Sequence, residues 1–292
     1  MKLRFVAEEA AQHPVSLLCR TVGISRQAFY QAQRRGASAR CLDDQRLTAR
    51  VLAAFAASRE TYGAPRIHAE LRAQGERVGR KRIARLMRQA EIQGVSRRGR
   101  RRGITQRDEL ATPAPDRLER RFAADGPDRV WVADLTYVPT RQGWLFLGLV
   151  MDLWSRRIVG WSMRDDLKAD LVVDALTMAI TRRQPAPGLI HHSDRGSQYT
   201  SLAYGRTLRH SGLLASMGRR GDAYDNAPAE SCIATIKCEL VHRTPFTTRD
   251  QARLAVFDFI ECFYNPHRRH SSLGDISPNQ YEKIHQPAAD AA

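Results

Sequence analysis

The sequence predicts an α/β fold, a mixed sheet flanked by helices, preceded by an all-α stretch. Three observations carry that expectation. Apolar runs of strand length follow one another between residues 130 and 163, strand-like and helical periods alternate after them, and residues 14–34 and 60–92 show helical periodicity with basic residues on their faces. With 292 residues, 42% of them hydrophobic, the chain has material for one to three domains with real cores.

The first helical unit is PVSLLCRTVGISRQAFYQAQR (14–34), which reads as a helix-turn-helix. Leu17, Leu18 and Val22 give one apolar face, Gly23 supplies the turn, and Ser25 can cap a second helix. That helix offers Arg26, Gln27 and Gln31, residue types suited to base edges or phosphates. A helical hairpin that only packs against something else is the competing reading. A second helical pair covers residues 60–92, with Pro65 opening one helix and Gly75 and Gly79 marking the turn. In the next helix Ile83, Leu86, Met87 and Ala90 share one side, while Lys81, Arg85 and Arg88 share the other. Like charges at that spacing repel, so contact with a phosphate backbone is expected.

Residues 66–121 hold 17 Lys and Arg against 7 Asp and Glu, which is ten of the chain's sixteen net positive charges. The run RRGRRRG (97–103) and the Pro-containing ATPAPDR lie there and read as a basic linker. The expected segments are therefore a helix-turn-helix at 1–40, a second helix-turn-helix-like DNA-binding segment at 45–95, a linker at 96–124, and an α/β core with a helical, basic extension at 125–285.

Within the core, VWVADLTYV (130–138), WLFLGLVMD (144–152) and RRIVGWSM (156–163) read as three strands. Their short connections imply an antiparallel meander, and their apolar character implies cover on both faces. A helix at 167–182, a strand at GLIHHSD (188–194), a helix near 199–211, a strand at LLASM (213–217) and a further helix complete the order. That order is the one found in a ribonuclease-H-like mixed sheet.

The net charge of +16 points to a polyanionic partner, because each neutralised phosphate releases condensed counterions. The five cysteines show no C-x-x-C and no zinc-finger spacing, so they read as reduced thiols. No signal-peptide stretch and no apolar run of membrane-spanning length occurs, and a cytoplasmic protein with access to DNA is expected.

Asp134 interrupts an otherwise apolar strand, where an uncompensated carboxylate is costly; pairing with a nearby Arg or Lys is the alternative. Asp194 ends a core strand at the edge where α/β folds place ligands, or merely caps a turn. Glu230 sits in YDNAPAESCIATIKCEL, where Asp225 or Asn226 can cap a helix and Pro228 fits its first turn. Together the three can converge on one sheet edge, with 59 residues between the first two and 35 between the last two. Hard oxygen donors with room for water suit Mg²⁺ or Mn²⁺, and two such ions serve in-line phosphoryl displacement. A zinc site at His191 and His192 lacks a matching cluster, and these histidines are expected to line the strand end. YNPHRRH is too compact for a tyrosine recombinase, and its Arg268 and Arg269 are expected to contact DNA near the active site. Of the other carboxylates, Asp152 reads as a strand-end turn, Asp225 as a cap, and Asp222 as a mere competitor.

The D, D-x35-E arrangement within WVADLTYV, HSDRGSQY and YDNAPAES resembles the catalytic core of retroviral-type integrases. More narrowly, with TYGAPRIHAELR, VGRKRIARLMR and YNPHRRHSSLGDISPNQY, the chain resembles the second-reading-frame (OrfB) transposases of the IS-three family of bacterial insertion sequences. The resemblance implies catalytic, metal-binding Asp134, Asp194 and Glu230, 3′-end cleavage and strand transfer. It also implies a DNA contact by Lys237, two helical turns beyond Glu230 and on its face. Double-stranded DNA, further copies of the chain and an upstream-frame (OrfA) product are its implied partners.

Overall fold

In the computed structural model, which describes every residue except 35–37, 97–113, 119–121, 219–225 and 286–292, the chain divides into two units, Met1–Gln93 and Gly94–Ala292. The basic run 97–103 lies outside the described residues, as do Asp222 and Asp225.

The first unit is helical: α1 (Lys2–Glu9), α2 (Val15–Val22), α3 (Arg26–Arg34), α4 (Ala39–Ala57), α5 (Ala64–Ala73) and α6 (Arg80–Gln89). The α2–α3 turn forms as its residues dictate. Gly23 adopts φ +68°, open to glycine without strain, and Ser25 Oγ accepts from Ala28 N at 3.0 Å. Val6, Leu18, Cys19 and Phe29 form the small core there. Leu17, expected inside, is 45% exposed; Cys19 is the residue that turns inward beside Leu18. Helices α4, α5 and α6 pack mutually, with Leu47, Val51, Ile67, Leu71, Ile83 and Leu86 buried.

The second unit is built on a five-stranded sheet of order β3-β2-β1-β4-β5. β1 (Val130–Thr140), β2 (Gly143–Asp152) and β3 (Ile158–Arg164) form the antiparallel meander, while β4 (Ile190–Ser193) and β5 (Leu214–Met217) add in parallel. α7 (Ala169–Arg183) and α8 (Leu202–His210) cover a core of Trp131, Ala133, Val150, Val172, Leu176 and neighbours. α7 lies so close that a Cβ on Gly160 would stand 2.2 Å from the Ala175 carbonyl oxygen, which explains a glycine inside a strand. α9 (Ala227–Glu239) packs on β1, and α10 (Arg249–Asp258) on β1 and β2. A π-helical turn, Phe259–Tyr264, follows α10, and α11 (Pro278–His285) comes last.

Two expectations change at this level. The assumed linker ends earlier than 124: Leu118 is buried, Arg117 N donates to Ser216 Oγ at 2.9 Å, and Ala114 packs on the core. The segment YNPHRRH is architectural where it meets the sheet. Asn265 accepts from Ile158 N at 2.9 Å and donates to Ile158 O at 3.0 Å, pairing with β3 as a strand residue would.

Candidate active site

β1 and β4 pair in parallel with Val130 beside Ile190 and Val132 beside His192. Asp194 directly follows β4, whose last residue is Ser193, and extension of that register by two residues would set it beside Asp134. Strands so paired lie about 4.8 Å apart. Trp131, Ala133 and Leu135 pack toward the α7–α8 core, so the two-residue period turns Asp134 away from it. Asp134 Oδ1 accepts from Leu135 N at 2.8 Å, and Asp194 Oδ1 from Gly196 N at 3.0 Å. Each bond fixes a carboxylate's orientation through backbone.

Glu230 stands in the first turn of α9, and Pro228 fits the opening of that helix. Asn226 precedes it but does not cap with its side chain. Its Nδ2 instead donates to Ala133 O at 2.8 Å, one residue before Asp134. β4 stops at Ser193, so β1 has no parallel neighbour beyond this level, and a side-chain amide takes over. That tie runs across 93 positions and leaves no periodic trace in the sequence.

The electrostatics follow from this crowding. Protein surrounds the Asp134 carboxylate although part of the residue stays open to solvent. Burial pushes its pKa well above the ordinary range; Asp194 and Glu230 push the same way, while the Leu135 N–H and Lys237 oppose them. Burial likewise raises Asp194, against the Gly196 N–H. Lys237 is lowered by burial, with Asp134 opposing. Its Nζ rests 4.6 Å from the Tyr137 ring centroid, a cation–π contact that holds the ammonium on the β1 side of α9. Asp134, Asp194, Glu230 and Lys237 therefore share one field. Among the described residues no three His, Cys, Asp or Glu side chains are drawn tightly enough to form an assembled metal site.

Other candidates are placed differently. Arg26 and Gln27 are exposed on α3, and Lys81 and Arg88 are exposed on α6. Arg85 is not left to a phosphate: its Nη2 reaches both Asp44 oxygens at 2.8–2.9 Å, and Arg82 joins the same carboxylate. The Arg85 and Arg82 guanidiniums hold Asp44 below the ordinary carboxylate range. The expected like-charge repulsion on α6 is thus partly relieved from α4, which the helix's own periodicity could not reveal. Arg268 is corrected outright. It is 1% exposed and gives Nε and Nη2 to Glu239 at 2.8 and 2.6 Å. Arg269 is also buried, with Nη1 on the Asp275 carbonyl at 2.5 Å. His191 and His192 do not line the strand end either. Both are buried, His191 meeting Tyr204 Oη at 3.1 Å and His192 Nδ1 lying 2.9 Å from Ser216 Oγ on β5. Asp152 is the expected turn acceptor, receiving Asp128 N, Ser155 N and Ser155 Oγ at 2.8–2.9 Å.

A family model described as an integrase core domain matches residues 124–223, another of that description matches 211–278, and an HTH-like domain matches 42–100. The insertion element IS600 31 kDa protein of Shigella sonnei is 42% identical over 273 residues, covering 93% of this chain and all of that one. The transposase InsF for insertion sequence IS3A of Escherichia coli strain K12 is 40% identical over 286 residues, covering 97% and 98%. Among solved structures, the HTLV-2 integrase catalytic core domain in complex with magnesium aligns at TM-score 0.40 and 16% identity, over 55% of this chain and 97% of that one. With 40% identity over nearly the full length of such a transposase and matches to integrase core and HTH-like domains, the chain belongs to the IS3 family of insertion-sequence transposases, polynucleotidyl transferases of DNA transposition.

Proposed function

We propose that the chain cleaves the 3′ ends of its insertion sequence and joins them to target DNA through Asp134, Asp194 and Glu230, with two Mg²⁺ or Mn²⁺ ions as cofactor. The observation that supports this reading is the parallel β1–β4 register, whose extension by two residues pairs Asp134 with Asp194, together with the charge of Glu230 acting on Asp134. Their chemistry fits a divalent cation. The donors are hard oxygens, and mutual repulsion already burdens Asp134. Three buried polar atoms without hydrogen-bond partners, Thr136 Oγ1, Tyr199 Oη and Asn226 Oδ1, belong to residues two, five and four positions from the three carboxylates. A hydrated cation offers such atoms water to bond.

Bound there, the ions would supply positive charge to the entering and leaving oxygens of an in-line displacement. In cleavage, water adds to phosphorus and the 3′-oxygen departs as a hydroxyl; in joining, that hydroxyl attacks a target phosphodiester. No bond between protein and DNA forms. Lys237 offers a cation to a phosphate beside the scissile one. Arg26 and Gln27 on α3, with Lys81 and Arg88 on α6, contact double-stranded DNA. Further copies of the chain bring two element ends together on DNA, and an upstream-frame product assists end recognition. No helix of the described residues is long and apolar enough to cross a membrane, and the proposed location is the cytoplasm.

The test is joining of the element's own ends to a target plasmid. Asp194→Ala is expected to abolish Mg²⁺- or Mn²⁺-dependent nicking and joining while DNA binding persists. Metal-independent joining, or full activity in that variant, would overturn the mechanism. Binding without any nicking by the parent chain would mark a DNA-binding regulator, and nicking without joined products a nuclease.

A further inference from the structure

The β1–β2 hairpin carries aromatic rings that lead outward from the carboxylates. Lys237 covers Tyr137, and Tyr137 meets Trp144 edge to face, with centroids 4.4 Å apart and planes at 77°. The register explains the contact. Phe146 lies opposite Tyr137 and Trp144 opposite Pro139, so Tyr137 and Trp144 are diagonal neighbours, a gap that large rings can bridge. Despite that brace, Trp144 is 51% exposed. Two cationic side chains belong to its neighbourhood: Arg249 Nε donates to the Trp144 carbonyl at 3.1 Å while its Nη1 pairs with Asp165 at 3.3 Å, and Arg141 is exposed at the hairpin turn.

We propose that Trp144 is a stacking site for a nucleobase from an unpaired or frayed stretch of DNA close to the scissile phosphate, an inference that rests on the strand-transfer reading above. Pro139, opposite Trp144, is five residues beyond Asp134. At about 3.4 Å per residue that is about 17 Å, or about five base steps of duplex. By the two-residue period Tyr137 and Trp144 stand on the sheet face opposite Asp134, and Lys237, which acts on Asp134 and covers Tyr137, joins the two places, so a strand whose phosphate lies at Asp134 meets the indole after passing Lys237. Stacking suits this position because every base has a π-face, so a ring held by Tyr137 serves any sequence. Arg141 and Lys237 supply the charge that draws the backbone along the same path. The net charge of +16 favours this occupant over a second copy of an equally basic chain.

The experiment uses the full chain and a duplex with a short single-stranded adenine flank carrying one 2-aminopurine, beside the same duplex without the flank. Trp144→Ala is expected to weaken binding of the flanked probe about five- to hundredfold and to remove the quenching of 2-aminopurine, whereas Trp144→Phe keeps most of both. The slope of log affinity against log salt should stay unchanged, since no cation is lost. Equal losses on both probes, unchanged quenching in Trp144→Ala, or an altered sedimentation coefficient with unaltered DNA affinity would overturn the stacking site. Asp194→Ala separates the two readings: quenching retained with joining lost supports both. Quenching by a parent chain that joins no DNA sinks the strand-transfer reading alone.

Discussion

Arg268 and Glu239 show how a single pair can look functional in sequence and be structural in fact. Both are nearly sealed from solvent, so removing one leaves the other charge buried without its partner. Arg268→Ala is expected to cost about 3–5 kcal/mol, read from urea unfolding, while Arg268→Met with Glu239→Gln recovers most of that loss. Two other buried groups give opposite pH dependences. Burial, aided by His192, drives His191 down to about 3. An unfolded histidine takes its proton near 6.5, so between these values the unfolded chain binds more protons. Stability from His191 is therefore present above 6.5 and lost as pH falls toward 3, at up to about 1.4 kcal/mol per unit. Asp152 is pushed up to about 6 by burial, against three hydrogen bonds. Its contribution is full below the unfolded value of 3.8 and fades as pH rises through 6. In His191→Gln the unfolding free energy should fall less from pH 6.5 to 4 than in the parent. An unchanged difference between those pH values would refute the assignment.

Element α9 is the part on which the proposed site depends, because it is tied at both ends. Asn226 fastens its start to the β1 backbone, and Glu239 fastens its end to Arg268. The first tie fixes where Glu230 stands relative to Asp134. Asn226→Ala should cost about 1 kcal/mol of stability and lower the single-turnover joining rate about a hundredfold, the scale of a 1 Å misplacement. DNA affinity should not change. Asn226→Asp cannot donate to the Ala133 carbonyl and should match the alanine variant, which separates the lost donor from lost packing. Full joining in Asn226→Asp would show that the amide does not position the helix. The elements were themselves legible from apolar period: β1, β2, β3, α7, β4, α8 and β5 all form within a few residues of expectation. The tie was not, since a buried amide looks in sequence like an ordinary helix cap.

The whole molecule carries +16, and its effect on DNA binding depends on which charges remain exposed. On α6, Lys81 and Arg88 are exposed while Arg85 is engaged by Asp44. Lys81→Ala and Arg88→Ala should each reduce the slope of log affinity against log salt by about 1. Arg85→Ala should leave the slope near the parent value and lower the melting temperature of the helical unit. Titrations over a salt series decide between these outcomes; an equal slope change for all three would return Arg85 to the DNA-contact set.

The sequence by itself determined the order of elements from β1 to β5, the helix-turn-helix turn at Gly23 and Ser25, and the three carboxylates with their spacing. These are local or periodic properties, set by side-chain volume, backbone freedom and repeat length. Only the tertiary structure decided what each polar group faces. Asp44 lies 41 positions from Arg85, Glu239 29 from Arg268, and Asn226 93 from Ala133. A charge or amide takes its partner from whatever the fold brings within about 3 Å, and no period along the chain records that.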